Sequence, residues 1–119
     1  MPTVMHFEIP ADNIDRAKSF YSKLFGWEIQ EIPGMDYWII TTSGEKAVGG
    51  GMMKRQNSQQ QIINYIDVPS IDNYVAEIQK MGGKIILPKT AVPEMGYFAI
   101  YLDTEKNTFG IWEDNKGAK

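Results

Sequence analysis

At 119 residues, with 43% hydrophobic and 23% charged side chains, the chain has the size and composition of one compact globular domain. A net charge of -3, with no cluster of Lys or Arg, argues against a nucleic-acid partner. Cysteine is absent, which excludes a disulfide framework, a thiolate nucleophile and a zinc–thiolate site. No apolar run approaches the ~18 residues of a membrane span, so no membrane partner and a cytoplasmic address are expected.

Val4 to Ile9 alternates as a strand does, Phe7 and Ile9 pointing one way and His6 and Glu8 the other; Pro10 ends it. A helix follows, with Asp12 as its expected N-cap and Asp15 three positions on. Its apolar positions are Ile14, Ala17, Phe20, Tyr21, Leu24 and Phe25, and Gly26 closes it. Strands are predicted at 27–32, 37–42 and 46–53, with Ser43-Gly44 as the last turn. Residues 55–61 are polar and aperiodic, a linker. The order then repeats: a strand over 62–68, a helix from Ser70 to Gly82-Gly83, and strands at 85–87, 97–102 and 107–112. Residues 114–119 read as a frayed polar tail.

The repetition extends to the residues themselves. Shifted by sixty positions, Pro33, Met35, Tyr37, Ile40, Glu45, Lys46 and Gly50 fall on Pro93, Met95, Tyr97, Ile100, Glu105, Lys106 and Gly110. Chance would supply roughly one identity in a window of that length. A period near half the chain means two copies of one supersecondary unit rather than a solenoid. The expected fold is α+β: two tandem βαβββ modules forming a curved mixed sheet around a cleft, one helix per module on the outer face. The boundaries are 1–54 for the first module, 55–61 for the linker, 62–113 for the second module and 114–119 for the tail, all within one domain of residues 1–119.

By alternation and by the repeat, Phe7, Ile9, Trp38, Ile40, Ile66, Val68, Phe98, Ile100, Phe109 and Ile111 should face the helices. The opposite face should carry His6, Glu8, Tyr37, Gly50, Met52, Ile63, Tyr65, Asp67, Tyr97, Tyr101, Gly110 and Trp112. An aromatic surface with a few polar groups makes a small-molecule pocket, or else a packed interior or dimer interface. With one His, no Cys and no Gly-x-Ser-x-Gly elbow, a nucleophile triad is not expected. His6 and Glu8 have the chemistry of a general acid–base pair.

The paired modules resemble the vicinal oxygen chelate superfamily, which includes glyoxalase I, bleomycin-resistance proteins and extradiol dioxygenases. The markers are His6 on the first strand, Asp15-Arg-Ala-x-x-Phe-Tyr-x-x-x-Phe-Gly26 on the helix, and Asp103-Thr-Glu-Lys-Asn107 before the last strand. His-Phe-Glu-Ile-Pro, Ile-Asp-Val-Pro-Ser and Asn-Thr-Phe-Gly-Ile point to a glyoxalase-like branch. The resemblance implies a homodimer. In the metal-dependent members it also implies a divalent ion held by a His on each first strand and a Glu on each last strand.

Of those four positions only His6 carries a donor; Ile63, Gly50 and Gly110 stand at the others. Neither isoleucine nor glycine side chains coordinate a cation, so no metal and no cofactor are expected. Two readings follow. One is a metal-free protein binding a small, partly aromatic or hydrophobic molecule through His6, Glu8, Tyr37, Gly50, Met52, Tyr65, Asp67, Tyr97, Tyr101, Gly110 and Trp112. The other is a metal-dependent lyase or isomerase of glyoxalase type with a site rebuilt around His6 and Glu8.

Overall fold

The computed structural model describes residues 2–119. Its elements run β1 (Val4–Ala11), α1 (Ile14–Phe25), β2 (Glu28–Glu31), β3 (Trp38–Thr41), β4 (Gly50–Lys54), β5 (Ile63–Asp67), α2 (Ile71–Lys80), β6 (Lys84–Val92), β7 (Gly96–Leu102) and β8 (Thr108–Asp114). This is βαβββ twice over, an α+β fold with mixed strand pairing. Two compact units form. His6–Ile63 makes the first; Asn64–Lys119 makes the second, together with residues 2–5.

In the first unit the strands lie in the order β2-β3-β4-β1, with β1 parallel to β4 and the other neighbours antiparallel. The second unit repeats this as β5-β8-β7-β6, with β5 parallel to β8. A parallel pair needs a long crossover connection, which the helix and the hairpin strands supply.

Helix α1 starts at Asn13, not at Asp12. Asn13 is extended and its side chain accepts the Arg16 N–H at 2.9 Å, while Asp12 pairs instead with Arg55 Nε at 3.0 Å. Gly26 ends the helix in the left-handed conformation at φ 74°, donating its N–H to Ser22 O. At α2 the Ser70 side chain accepts the Asn73 N–H. The Glu113 carboxylate, reaching in from β8, accepts the Ile71 N–H at 2.8 Å.

Each helix packs on one face of its own strands. In the first unit Ile9, Ala11, Ile14, Ile29, Ile40 and Met52 form the buried core, flanked by Phe7, Ala17, Tyr21, Trp27 and Trp38. In the second, Val68, Ile71, Ala99 and Ile111 do so, flanked by Ile66, Tyr74, Val75, Ile78, Tyr97 and Tyr101. The flank of α1 is less covered than its periodicity predicts: Phe20, Leu24 and Phe25 are each 58% exposed. Strand β2, one of the two strands that α1 packs on, has only four residues, whereas α2 packs on the nine-residue β6.

Two segments expected to be loose are tied down. The linker turns around Arg55, whose guanidinium donates to Asp12, to the Pro10 carbonyl and to the Gln60 carbonyl. The tail is held because Glu94 N–H donates to Ala118 O and Asn115 N–H to Met95 O, leaving Ala118 buried.

Candidate functional site

Strand pairing decides which side chains share a face, and it departs from the sequence expectation in both units. In the first, β1 and β4 pair Phe7 with Gly50, Glu8 with Gly51 and Ile9 with Met52. Gly50 and Met52 therefore lie on the helix side, not beside His6. Met52 is fully buried there, and a Cβ on Gly50 would fall 2.6 Å from the Phe7 ring. The glycine on the face of His6 and Glu8 is Gly51.

In the second unit, Tyr97, Ala99 and Tyr101 face α2, and Phe98 and Ile100 face away, the reverse of the expectation. Burial raises the Tyr101 hydroxyl above its ordinary pKa, with the Asp103 carboxylate adding to the effect. The reason is register. A slip of one residue turns every side chain to the other face, and β7 is apolar on both faces, so its sequence carries no signal against the slip. Tyr65, Asp67, Gly110 and Trp112 do share the face away from α2. There the Tyr65 ring lies on Gly110, whose Cβ would come within 2.3 Å of it, and meets Phe98 edge-on at 6.3 Å. Asp67 accepts the Thr3 N–H at 2.8 Å, and the Trp112 indole N–H donates to Asp114. These contacts are structural.

The chemistry gathers in the first unit. Tyr37, just ahead of β3, reaches across Gly51 to β1, where its hydroxyl lies 2.8 Å from His6 Nε2 and 2.8 Å from Glu8 Oε2. Its ring is near-parallel to the imidazole, at 15° and 6.4 Å. A carboxylate only accepts, so the phenol donates its single proton to Glu8 and its oxygen accepts from His6 Nε2–H. The result is a chain of imidazole, phenol and carboxylate, all half-buried. Such a chain can hold a polar group of a ligand, or pass a proton along its length.

Burial holds the His6 pKa below its ordinary 6.5, because a partly desolvated imidazole resists charging. The sign of its contribution follows. The unfolded chain takes up the proton first, so this term stabilises fully above about pH 6.5 and is lost as pH falls below it. The melting temperature should therefore drop between pH 7.5 and 5.5 by more in the native protein than in His6→Gln. Thermal melts of the two across that range check this; parallel curves would contradict it.

The superfamily's divalent ion does not fit these residues. Among the described residues no group of three or more His, Cys, Asp or Glu side chains comes together as a ligand set. Where an imidazole and a carboxylate do converge, the Tyr37 hydroxyl lies between them and satisfies both. Two open grooves lie elsewhere. One of about 590 Å³ runs along α1 past Arg16, Phe20, Lys23 and Leu24; one of about 600 Å³ lies between Phe7, Trp27 and the 42–48 turn. Neither is lined by His6, Tyr37 or Glu8. No helix among the described residues is long and apolar enough to cross a membrane.

Known proteins share both the sequence and the fold. Residues 3–43 match the family described as bleomycin resistance protein-like N-terminal. A glyoxylase-like domain-containing protein of Didymella fabae is 30% identical over 112 residues, spanning 87% of this chain and 88% of that protein. The putative glyoxylase CFP32 of Mycobacterium bovis is 28% identical over 107 residues, spanning 84% of this chain but only 41% of that protein's length. Among solved structures, methylmalonyl-CoA epimerase of Streptomyces coelicolor superposes with a TM-score of 0.72 at 10% identity, over 100% of this chain and 99% of that one. With the paired βαβββ units, these matches place the chain in the vicinal oxygen chelate superfamily, as a glyoxalase-like, bleomycin-resistance-like member.

Proposed function

We propose that this protein binds a small, partly aromatic or hydrophobic molecule without a metal, the His6–Tyr37–Glu8 chain taking the ligand's polar end. The observation carrying this reading is the chain itself: three polar side chains, two from β1 and one from just ahead of β3, interlocked at 2.8 Å on the face away from α1. A merely structural hydrogen bond would need only two of them. The proposed ligand set is confined to the first unit, since Tyr65, Asp67, Gly110 and Trp112 are engaged in contacts within the second. Gly50, Met52, Tyr97 and Tyr101 leave it, because they serve the two cores.

A second reading is an acid–base lyase or isomerase. It is favoured by the same chain, since a phenol between imidazole and carboxylate is a route for a proton. The relatives that carry the word glyoxylase in their names agree with it.

The test is native mass spectrometry of gently purified protein, followed by incubation with whatever compound is retained. A compound that comes back unchanged supports the binder; one that is converted supports the enzyme. In parallel, nickel, zinc or manganese should leave the melting temperature unmoved, as should a chelator, because affinity for such ions needs several converging donors. About one equivalent of metal per chain, with a lower melting temperature after chelation, would overturn the metal-free proposal.

A further inference from the structure

The run Gly49-Gly50-Gly51 separates into three positions with different reasons for being glycine. A Cβ on Gly49 would meet only the Ile40 carbonyl, at an ordinary 3.5 Å. On Gly50 it would strike the Phe7 ring, on the core side. On Gly51 it would fall 1.8 Å from Tyr37 Oη, 2.1 Å from Cζ and 2.5 Å from Cε2. None of the three has positive φ, so backbone freedom is not the reason. Gly51 is needed for its missing volume.

The backbone at residue 51 cannot step aside to make that volume. Gly51 is buried and pairs with Glu8 of β1 on one side and Ile39 of β3 on the other. Tyr37, by contrast, meets the would-be Cβ with the far end of its side chain, which can swing away. A methyl group here would thus take the place of the hydroxyl between His6 and Glu8, and the strand would stay.

We infer that Gly51 is the positioning residue of the His6–Tyr37–Glu8 centre, the one that lets the phenol lie flat on the strand between imidazole and carboxylate. The inference rests on the proposal that this chain is the functional centre. The seat itself can be tested without any ligand.

The experiment is a cycle of Gly51→Ala, Tyr37→Ala and the double variant, with Gly49→Ala as control. Gly51→Ala alone should lower the melting temperature by roughly 5–15 °C, the cost of crowding a packed position. It should also raise the His6 titration midpoint, followed by NMR, toward that of Tyr37→Ala. In the Tyr37→Ala background, adding Gly51→Ala should lower the melting temperature no further. Gly49→Ala should change neither quantity. An equal loss from Gly51→Ala in both backgrounds, or an unmoved His6 midpoint in a folded Gly51→Ala protein, overturns the inference. Should Gly51→Ala fail to fold, the double variant must fold as Tyr37→Ala does, or the inference falls. Wild-type protein that retains no compound, with the cycle behaving as expected, would refute the proposed function and leave the seat standing.

Discussion

Met52→Ala is expected to lower the free energy of unfolding by about 2–5 kcal/mol, the usual cost of truncating a large buried side chain. Met52 is completely buried among Ile9, Ala11, Ile14, Ile29 and Ile40. Ile9 of β1 and Trp38 of β3 flank it across the strands, so the surroundings have little freedom to close the cavity. Its neighbour Met53 points to the other face and is partly exposed, with a long 3.9 Å contact from Gln60 to its sulfur. Met53→Ala should accordingly cost under about 1 kcal/mol. Urea unfolding of both variants, with unchanged slopes, measures the difference. Equal costs would mean that the face assignment of β4 is wrong.

That contrast marks how far the sequence could be read. The duplication, both helices and all eight strands were legible, because apolar spacing and Gly and Pro punctuation are local signals. The face of a strand is a different matter, since it depends on register with a partner far away in sequence. The sixty-residue repeat lays Gly110 on Gly50 and Tyr97 on Tyr37. Yet Gly110 pairs with Tyr65, on the face away from its helix, while Gly50 pairs with Phe7, on the helix face. The repeat is thus one residue out of step with the side-chain alternation, and no local pattern reveals that. Residues such as Phe98 and Ile100 suit a core as well as Tyr97 and Ala99 do.

The site was legible to the same depth. His6 and Glu8, two apart on one strand, share a face by alternation alone. Tyr37 was expected on their face, but that its hydroxyl lies between the two could not be read, because β3 reaches β1 only through β4, and β4 is the strand whose glycines blur its register. Gly51 was missed for that reason. The one available signal was the triplet itself, since three glycines inside a strand weaken it and invite a close neighbour. Which of the three receives the neighbour is decided by pairing. Likewise Asn13 and Asp12 are both good caps, and only the Asp12–Arg55 ion pair separates their roles.

Tyr37→Phe is expected to weaken capture of the retained compound roughly tenfold to a hundredfold, the worth of a hydrogen bond to a charged group at about 1.5–3 kcal/mol. The substitution removes one oxygen and keeps the ring, so the packing on Gly51 is preserved. What goes is the link between His6 Nε2 and Glu8 Oε2. The imidazole and carboxylate then no longer share an oxygen that fixes their spacing, and a ligand group must order them itself. The melting temperature should fall far less than in Met52→Ala, because the bonds lost lie on a half-buried face where water can replace them. Titration calorimetry with the compound identified by mass spectrometry reads the affinity, and a thermal melt reads the stability. Full affinity in a stable Tyr37→Phe protein would remove the phenol from the site and leave His6 and Glu8 without the chain on which the proposed function rests. If the compound is converted rather than merely held, the same variant separates the two roles of the phenol. A loss confined to KM marks an orienting group, and a loss in kcat marks one that moves the proton.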